Sequence, residues 1–286
     1  MPTMPTNDER RTRNICLGIS SYTYGWAVGV RGHEPPRPMD EHGLLDKALE
    51  HGVKLLQIGD NLPLHTFDDA RIDRLAGRAR RDGVRLEVGG RGLRVEQVTA
   101  YASVARRLGA TLIRFIIDDS GYHPSPGEVS AVLREVTPLL NGLTLGIENH
   151  DRFNAGTLRT IVESAGTDRV GICLDTSNSL GSGEGIEAVA AVLAPYTVNL
   201  HVKDFGIERL PYLMGFTITG RPAGGGMLDL PGLLSQLAPY GKCATAILEL
   251  WTPPEPRIDD TINKEAVWAT QSLAYLRRLF SSSDTY

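Results

Sequence analysis

The chain has 286 residues, of which 41% are hydrophobic and 22% are charged, which suits one large α/β barrel or two ordinary domains. Its formal net charge of −4 gives no overall attraction to nucleic acid or to an anionic membrane. Apolar runs such as 186–193 are far shorter than the roughly 20 residues that span a bilayer, so we expect neither kind of partner.

The first 14 residues are polar and Arg-rich, without the apolar centre of a secretory signal. We interpret 1–14 as a disordered tail and 15–286 as a single catalytic domain, since no linker or composition shift divides the chain. The cysteines, Cys16, Cys173 and Cys243, are odd in number and widely spaced, which favours free thiols in a reducing compartment. The sequence thus predicts a cytoplasmic protein.

Short apolar runs alternate with longer amphipathic segments along the chain. Each run is bounded by Gly, Asp or Asn and is mostly continuous in polarity, as in strands that are buried on both faces of a parallel sheet. The predicted strands are 15–20, 54–58, 86–88, 112–117, 143–147, 170–174, 197–201 and 246–250.

The segments between these runs have helical spacing. Val95, Val98 and Ala102 recur at three- and four-residue steps, and Pro126 and Pro231 mark helix starts. Eight strand–helix units in about 270 residues predict a closed (β/α)₈ TIM barrel. The competing architecture is an open doubly wound sheet, which would have a glycine fingerprint after the first strand; the segment GISSYTYGW lacks that fingerprint.

Each of the last four predicted strands ends at a side chain that can bind a metal. These side chains are Glu148, Asp175, His201 and Glu249. A closed barrel brings the carboxyl ends of its strands around one mouth, so we expect the four to converge. Three carboxylates packed together without a cation would repel one another, and one divalent ion removes that repulsion. This donor set suits Mn²⁺ best, with Mg²⁺, Co²⁺ and Zn²⁺ as alternatives.

Each of these residues also has a structural interpretation when it is taken alone. Asp175 could be a helix N-cap or a turn former, and a lone His201 is more often a hydrogen-bonded structural residue than a ligand. Glu249 lies between apolar neighbours in ILELW, where a buried unpaired carboxylate is costly. Taken together, the four favour the metal site.

At these strand ends the sequence resembles the xylose isomerase-like barrel superfamily, in particular its sugar isomerases and epimerases. The segments that carry the resemblance span nearly the whole chain and are LGISSYTY, LGIEN, ICLDTSN, NLHVKD, GRPAGGGMLDL and AILELW. The resemblance implies that the four residues hold one metal. It also implies that Glu148 and Glu249 are the catalytic acid and base, which exchange a proton of the substrate through a metal-bound enediolate.

The chain departs from the epimerase pattern at two positions. Asn178 stands where those enzymes usually carry a second histidine, and the segment from His201 to Asp204 is more similar to the inosose dehydratase branch, which places Lys203 near the site. A salt bridge near Asp204 or a solvated loop explains Lys203 equally well.

Further polar residues are candidates for substrate binding. Arg221, in GRPAGGG, could grip a substrate carboxylate or phosphate, whereas its glycines are best explained as a turn. Asn61 and His65 could bind sugar hydroxyls, although a plain turn also accounts for Asn61. His150 is a substrate candidate because it lies two residues beyond Glu148 and would point to the same side of a continued strand.

Several functions remain open at this stage. The first hypothesis is a metal-dependent isomerase or 3-epimerase of a small carbohydrate. The second is a lyase, either a decarboxylase of a 3-oxo sugar acid such as 3-oxo-isoapionate or an inosose-type dehydratase. Lys203, Arg221 and Asn178 favour the lyase, because an acid substrate needs cations that a neutral ketose does not. The segments DNLPLH, DTSNS and GRPAG also resemble a branch of proposed 3-oxo-isoapionate decarboxylases.

Two further alternatives are more distant. An endonuclease IV-like nuclease would need several histidine ligands and a basic groove, whereas here only His201 occupies a ligand position. A barrel that binds sugar without turnover would not need paired glutamates. The segment 205–219 is predicted as an apolar loop that serves as a lid or a subunit contact, which is compatible with a homodimer or homotetramer.

Overall fold

The computed structural model describes residues 15–281, so the tail predicted at 1–14 lies outside the described residues. Strands and helices alternate through most of this range. The strands are β1 Cys16–Ser20, β2 Leu55–Ile58, β3 Arg85–Arg91, β4 Leu112–Ile116, β5 Thr144–Glu148, β6 Val170–Asp175, β7 Thr197–Val202, β8 Asp204–Arg209, β9 Phe216–Arg221 and β10 Thr245–Leu248. The helices are α1 Gly25–Val28, α2 Glu41–Glu50, α3 Asp69–Asp82, α4 Val95–Leu108, α5 Pro126–Val136, α6 Ala155–Ala165, α7 Ile186–Leu193, α8 Leu230–Leu237 and α9 Ile258–Ser281.

Eight of the strands form a closed parallel barrel in the order β1–β10–β7–β6–β5–β4–β3–β2, and β2 pairs again with β1. Each predicted strand overlaps one strand of this barrel. The (β/α)₈ prediction is therefore confirmed, and the open doubly wound sheet is excluded. Because the eight barrel strands are parallel, their carboxyl ends lie at one end of the barrel.

Burial explains why the short apolar runs became strands. Every residue of β4 and of β6 is buried, since the barrel interior covers one face of each strand and the helices cover the other. The helices bury a single apolar stripe, as α3 does with Ile72, Leu75 and Ala79. The predicted start at Pro126 is confirmed, and Ser125 and Glu128 form a capping box there.

The segment 205–219 was wrongly predicted as a loop. β8 and β9 form an antiparallel hairpin that runs from the Asp204–Arg221 pair to the Arg209–Phe216 pair. Two β-prone runs flank a turn in this segment, so local pairing satisfies their backbone groups. Apolar side chains of this β8–β9 hairpin are exposed: Ile207, Tyr212, Leu213, Met214, Phe216 and Ile218. Its role as a lid or subunit contact stays a prediction.

The interior of the barrel contains a buried polar network below the carboxyl ends of the strands. Gln57 Nε2 donates to Glu87 Oε2 at 3.0 Å and to Asn199 Oδ1 at 3.3 Å, and Asn199 Nδ2 donates to Thr245 Oγ1 at 2.7 Å. Cys173 Sγ lies 2.9 Å from Asn199 Oδ1. These hydrogen bonds satisfy polar groups that water does not reach.

Cys16, Cys173 and Cys243 are all free, as predicted. Among the helices in residues 15–281, none combines the length and the apolarity needed to cross a membrane.

Glu87 should make the free energy of unfolding depend on pH. Burial raises the pKa of Glu87 to about 7 from an ordinary value of 4.5, although Gln57 and Thr245 hydrogen-bond to it. A folded-state pKa that is raised in this way stabilises the fold fully below pH 4.5, and the stabilisation is lost as the pH rises towards 7. We expect chemical denaturation between pH 4 and 8 to show this loss, of a few kcal/mol at most, since one pKa unit is about 1.4 kcal/mol.

The matched variant is Glu87→Gln, which keeps an acceptor for Gln57 but cannot ionise. Its free energy of unfolding should be flatter across the same pH range. Parallel pH profiles for the two proteins would contradict the assignment.

Candidate metal centre

The barrel brings the four predicted ligands together at the carboxyl ends of adjacent strands. Glu148 ends β5, Asp175 ends β6, His201 lies in β7, and Glu249 directly follows β10. All four side chains are buried. One carboxylate oxygen of each acid faces His201 Nδ1, at 3.4 Å for Glu249 Oε1, 3.7 Å for Glu148 Oε2 and 3.9 Å for Asp175 Oδ2.

The hydrogen bonds of His201 fix which ring nitrogen carries the proton. Gln57 uses its amide nitrogen to donate to Glu87 and Asn199, so its oxygen Oε1 faces His201 Nε2 at 2.7 Å and accepts from it. Nδ1 therefore presents a lone pair, and it has no hydrogen-bond partner. Burial lowers the pKa of His201 to about 4, which keeps the ring neutral.

The protein holds Glu148 and Asp175 by their other oxygens. Glu148 Oε1 accepts from Asn178 Nδ2 at 2.7 Å, and Asp175 Oδ1 accepts from the backbone amides of Ser177 and Asn178 at 2.8 Å each. Asn178 thus orients two acids, Glu148 through its side chain and Asp175 through its backbone amide.

These atoms fit a divalent cation. The lone pair of a neutral imidazole faces one oxygen of each of three acids, and the negative charges of these acids repel one another. The donor set of oxygen and imidazole nitrogen suits Mn²⁺, Mg²⁺ or Zn²⁺. As a metal ligand, His201 would be oriented by its hydrogen bond to Gln57. Metal-bound histidines are commonly oriented by such a hydrogen bond from their other ring nitrogen.

The candidate ligand atoms form two overlapping groups that share His201. One group contains Asp175, His201 and Glu249, and the other contains Glu148, Cys173 and His201. Cys173 is a poor ligand, because burial raises the pKa of its thiol well above the ordinary value and because Sγ already contacts Asn199.

Two buried cations lie against the carboxylates. Lys203 Nζ is 2.9 Å from Asp175 Oδ2 and 3.1 Å from Glu249 Oε2, and Arg114 Nε is 3.0 Å from Glu148 Oε2. Burial would lower the pKa of Lys203, but the acids around it raise that pKa above its ordinary value, so the ammonium stays charged. Arg114 also reaches Asp60 Oδ1 at 2.9 Å.

A cavity of about 210 Å³ opens above this centre. Its volume lies below the usual range of drug-sized ligand sites, about 300–1,000 Å³, so it suits a small molecule. Its polar and charged lining consists of Tyr22, Arg91, Arg114, Glu148, His150, Asp151, Asn178, Lys203 and Glu249.

Of the residues predicted to bind substrate, His150, Asn178 and Lys203 line this cavity, whereas the other three do not. Asn61 is hydrogen-bonded to Ser21 and lines a neighbouring cavity of about 480 Å³.

His65 packs against Tyr101 with ring centroids 4.9 Å apart. Arg221 lies in the β8–β9 hairpin, where it contacts Glu208 and donates to Thr219 Oγ1 at 2.6 Å. The geometry gives Arg221 a partner within the hairpin and places it outside the cavity lining, so its role as a substrate grip gains no support.

The sequence analysis missed three important residues, which are Gln57, Arg91 and Arg114. Arg114 carried a usable signal, because a charged residue inside the apolar run LIRFI is costly to bury unless it is paired. Gln57 carried the same kind of signal in LLQI.

Comparison with known proteins agrees with this fold. The family model for xylose isomerase-like TIM barrels matches residues 45–279. The 3-oxo-isoapionate decarboxylase of Pectobacterium atrosepticum is 30% identical over 264 residues, which cover 92% of this chain and 95% of that protein.

Solved structures share the fold at lower identity. The IOLI protein with a bound zinc atom superposes with a TM-score of 0.70 at 15% identity, covering 95% of this chain and 100% of the other. A D-psicose 3-epimerase superposes with a TM-score of 0.68 at 14% identity, covering 93% of this chain and 99% of the other.

Replacing a ligand should reduce metal affinity, whereas replacing Cys173 should not. We expect Asp175→Asn to weaken Mn²⁺ binding at least tenfold, because the metal loses a charged donor. Cys173→Ala is the matched control and should bind Mn²⁺ within about threefold of wild type, since its thiol is protonated. Isothermal titration calorimetry on the metal-free proteins measures both affinities. Strong loss in the Cys173 variant and none in the Asp175 variant would show that the ligand set is wrong.

Proposed function

This chain belongs to the xylose isomerase-like TIM barrel family, and we propose that it is a metal-dependent decarboxylase of a small 3-oxo sugar acid. The observation that carries the proposal is the set of cations in the cavity lining, Arg91, Arg114 and Lys203. An anionic substrate needs such cations, whereas a neutral ketose does not. The relative that matches nearly the whole chain is a decarboxylase of a 3-oxo acid, which makes 3-oxo-isoapionate the first substrate to test.

Decarboxylation of a 3-oxo acid requires an electron sink at the ketone. The bond between the carboxyl carbon and its neighbour breaks, CO₂ leaves, and the electron pair passes to the ketone oxygen. The neighbouring carbon then takes up one proton. We propose Mn²⁺ as the metal, with Mg²⁺, Co²⁺ or Zn²⁺ as alternatives; when bound, it acts as a Lewis acid that polarises the ketone.

Lys203 can support the same step. An ammonium group has three N–H donors, and Asp175 and Glu249 account for two of them. The third donor is available to an oxygen in the cavity. Negative charge that develops on the ketone oxygen would thus meet a fixed positive charge in a site that excludes most water, where such an interaction is strong.

The two glutamates differ in their protonation. Burial, together with the charges of Asp175 and Glu249, raises the pKa of Glu148 to about 8 against the opposing charge of Arg114, so the free carboxyl tends to hold a proton at neutral pH. Glu249 contacts Lys203, and Glu148 contacts Arg114 and Asn178. Although burial raises the pKa of Glu249, the charge of Lys203 holds it below its ordinary value, which makes the carboxylate a weaker base. Decarboxylation starts without removal of a proton from carbon, so it does not need a strong base. Either glutamate can take part in the later protonation step.

A metal-dependent 3-epimerase is the second candidate function. Glu148 and Glu249 both line the cavity, and an acid/base pair is what an epimerase needs. The sequence alone ranked this reaction first. The cations in the cavity lining, which a neutral ketose does not need, are the reason for ranking it second here.

A direct assay separates the two reactions. Mn²⁺-loaded protein should release CO₂ from 3-oxo-isoapionate, and a chelator should abolish the release. In a parallel incubation with D-psicose in D₂O, we expect no deuterium at the carbons next to the ketone. Deuterium incorporation without CO₂ release from the acid would reject the decarboxylase in favour of the epimerase.

Lys203→Gln should lower turnover while it leaves the metal in place. We expect kcat for CO₂ release to fall roughly 10²- to 10³-fold, the range found when one stabilising donor is removed from a developing oxyanion. Mn²⁺ affinity should not fall, because the four ligands remain and Asp175 and Glu249 lose a competing positive charge. Lys242→Gln, an exposed position outside the cavity, is the matched control. Equal kcat values in the two variants would remove Lys203 from the mechanism.

A further inference from the structure

We infer that Arg91 binds the carboxylate of the substrate and so selects acids over neutral sugars. This inference deepens the proposed function and rests on it for the identity of the ligand. The sequence analysis did not suggest Arg91 as a substrate residue. It assigned the binding of a substrate carboxylate to Arg221.

The position and contacts of Arg91 leave its binding face open. It is the last residue of β3 and lines the cavity above the metal centre. Its Nε donates to Asp60 Oδ2 at 2.8 Å, and within residues 15–281 its terminal nitrogens have no hydrogen bond. A guanidinium has five N–H donors in a planar fork, so four remain for a ligand. Its side chain is 35% exposed, which makes this fork accessible.

The other cations of the cavity are already committed. Lys203 contacts Asp175 and Glu249, and Arg114 contacts Asp60 and Glu148. The side chain of Lys203 is 7% exposed and that of Arg114 is 1% exposed. Neither can offer two adjacent free donors to a carboxylate. Of the three, Arg91 alone is both open and held at one end.

His150 does not compete for the carboxylate. Its Nδ1 lies 3.0 Å from Asp151 Oδ2, so that side of the ring already has an acidic partner. The other ring nitrogen can form one hydrogen bond to the substrate, but it cannot supply the two adjacent donors of a bidentate contact.

Asp60 is the positioning residue for this fork. Its carboxylate accepts from Arg91 Nε, from Arg114 at 2.9 Å and from Tyr22 Oη at 3.1 Å. Although burial raises the pKa of Asp60, the two arginines hold it well below its ordinary value, so it stays ionised. An arginine fixed through Nε presents its two terminal nitrogens side by side, which matches the two oxygens of a carboxylate.

This role predicts a particular kinetic pattern. The substrate carboxylate is charged in the bound state, and CO₂ is neutral, so the attraction to Arg91 weakens as the reaction proceeds. Arg91 should therefore contribute mainly to substrate binding, and it should not hold back the neutral CO₂. Loss of Arg91 should raise KM more than it lowers kcat, which is the reverse of the effect expected for Lys203.

Binding of an unreactive acid tests the inference without turnover. Erythronate, a four-carbon sugar acid without a ketone, and erythritol, an uncharged analogue, are titrated into Mn²⁺-loaded protein by calorimetry. Arg91→Gln should weaken erythronate binding roughly ten- to hundredfold, the range expected for a charge-assisted bidentate contact. Erythritol binding should not change. Arg94→Gln is the matched control, since Arg94 stacks on Tyr122 and lies 3.6 Å from Asp119, outside the cavity lining.

The outcomes separate this inference from the proposed function. Unchanged erythronate affinity in Arg91→Gln, or a loss in Arg221→Gln instead, overturns the role of Arg91 even if CO₂ is released from the 3-oxo acid. A loss in Arg91→Gln supports the anion site even if no CO₂ is released. If Arg91→Gln does not fold, Arg91→Lys carries the test, because it keeps the charge but not the fork. Its erythronate affinity should fall at least threefold, and an unchanged value overturns the inference.

Discussion

Mutual repulsion among three buried carboxylates around a neutral histidine is the constraint on which the site depends. Glu148, Asp175 and Glu249 each turn one oxygen towards Nδ1 of His201, within 3.4–3.9 Å. Positive charge must balance such a cluster, and the protein supplies part of it through Arg114 and Lys203. Lys203 also lowers the pKa of Glu249, and the two cations make the cavity attractive to an anion. The proposed metal binding and the proposed preference for an acid thus have one electrostatic origin.

The polar interior of the barrel, below the candidate metal centre, orients His201. His201 is oriented by Gln57, and Gln57 is oriented in turn by Glu87 and Asn199. Barrels of this class usually fill their interior with branched apolar side chains. Here a chain of hydrogen bonds occupies part of that space, so the lone pair of His201 points to the acids because of residues on several strands. The cost is a buried Glu87 whose ionisation opposes folding.

The sequence predicted the barrel, and it suggested four candidate metal ligands at the ends of strands, because both predictions depend on local signals. Continuous apolar runs marked the strands, and an acid or histidine after each of four runs marked the ligands. Residues whose importance comes from geometry were harder to find. Arg221 and His65 looked suitable by residue type, but pairing within the β8–β9 hairpin and packing on Tyr101 take them away from the cavity. Arg91 looked ordinary, because only the fold shows that Asp60 holds it beside the ligands. The β8–β9 hairpin was missed because its apolar residues are exposed rather than buried.

The strands divide the site into two sectors. The ligands come from β5, β6, β7 and the end of β10, whereas Asp60, Arg91 and Arg114 follow or belong to β2, β3 and β4. Arg114 joins the sectors through Glu148. Evolution could therefore exchange one sector, and with it the charge of the accepted substrate, while inheriting the other intact. A chimaera that takes residues of β2 to β4 from a relative acting on uncharged sugars offers a route to new specificity on the same metal-binding scaffold.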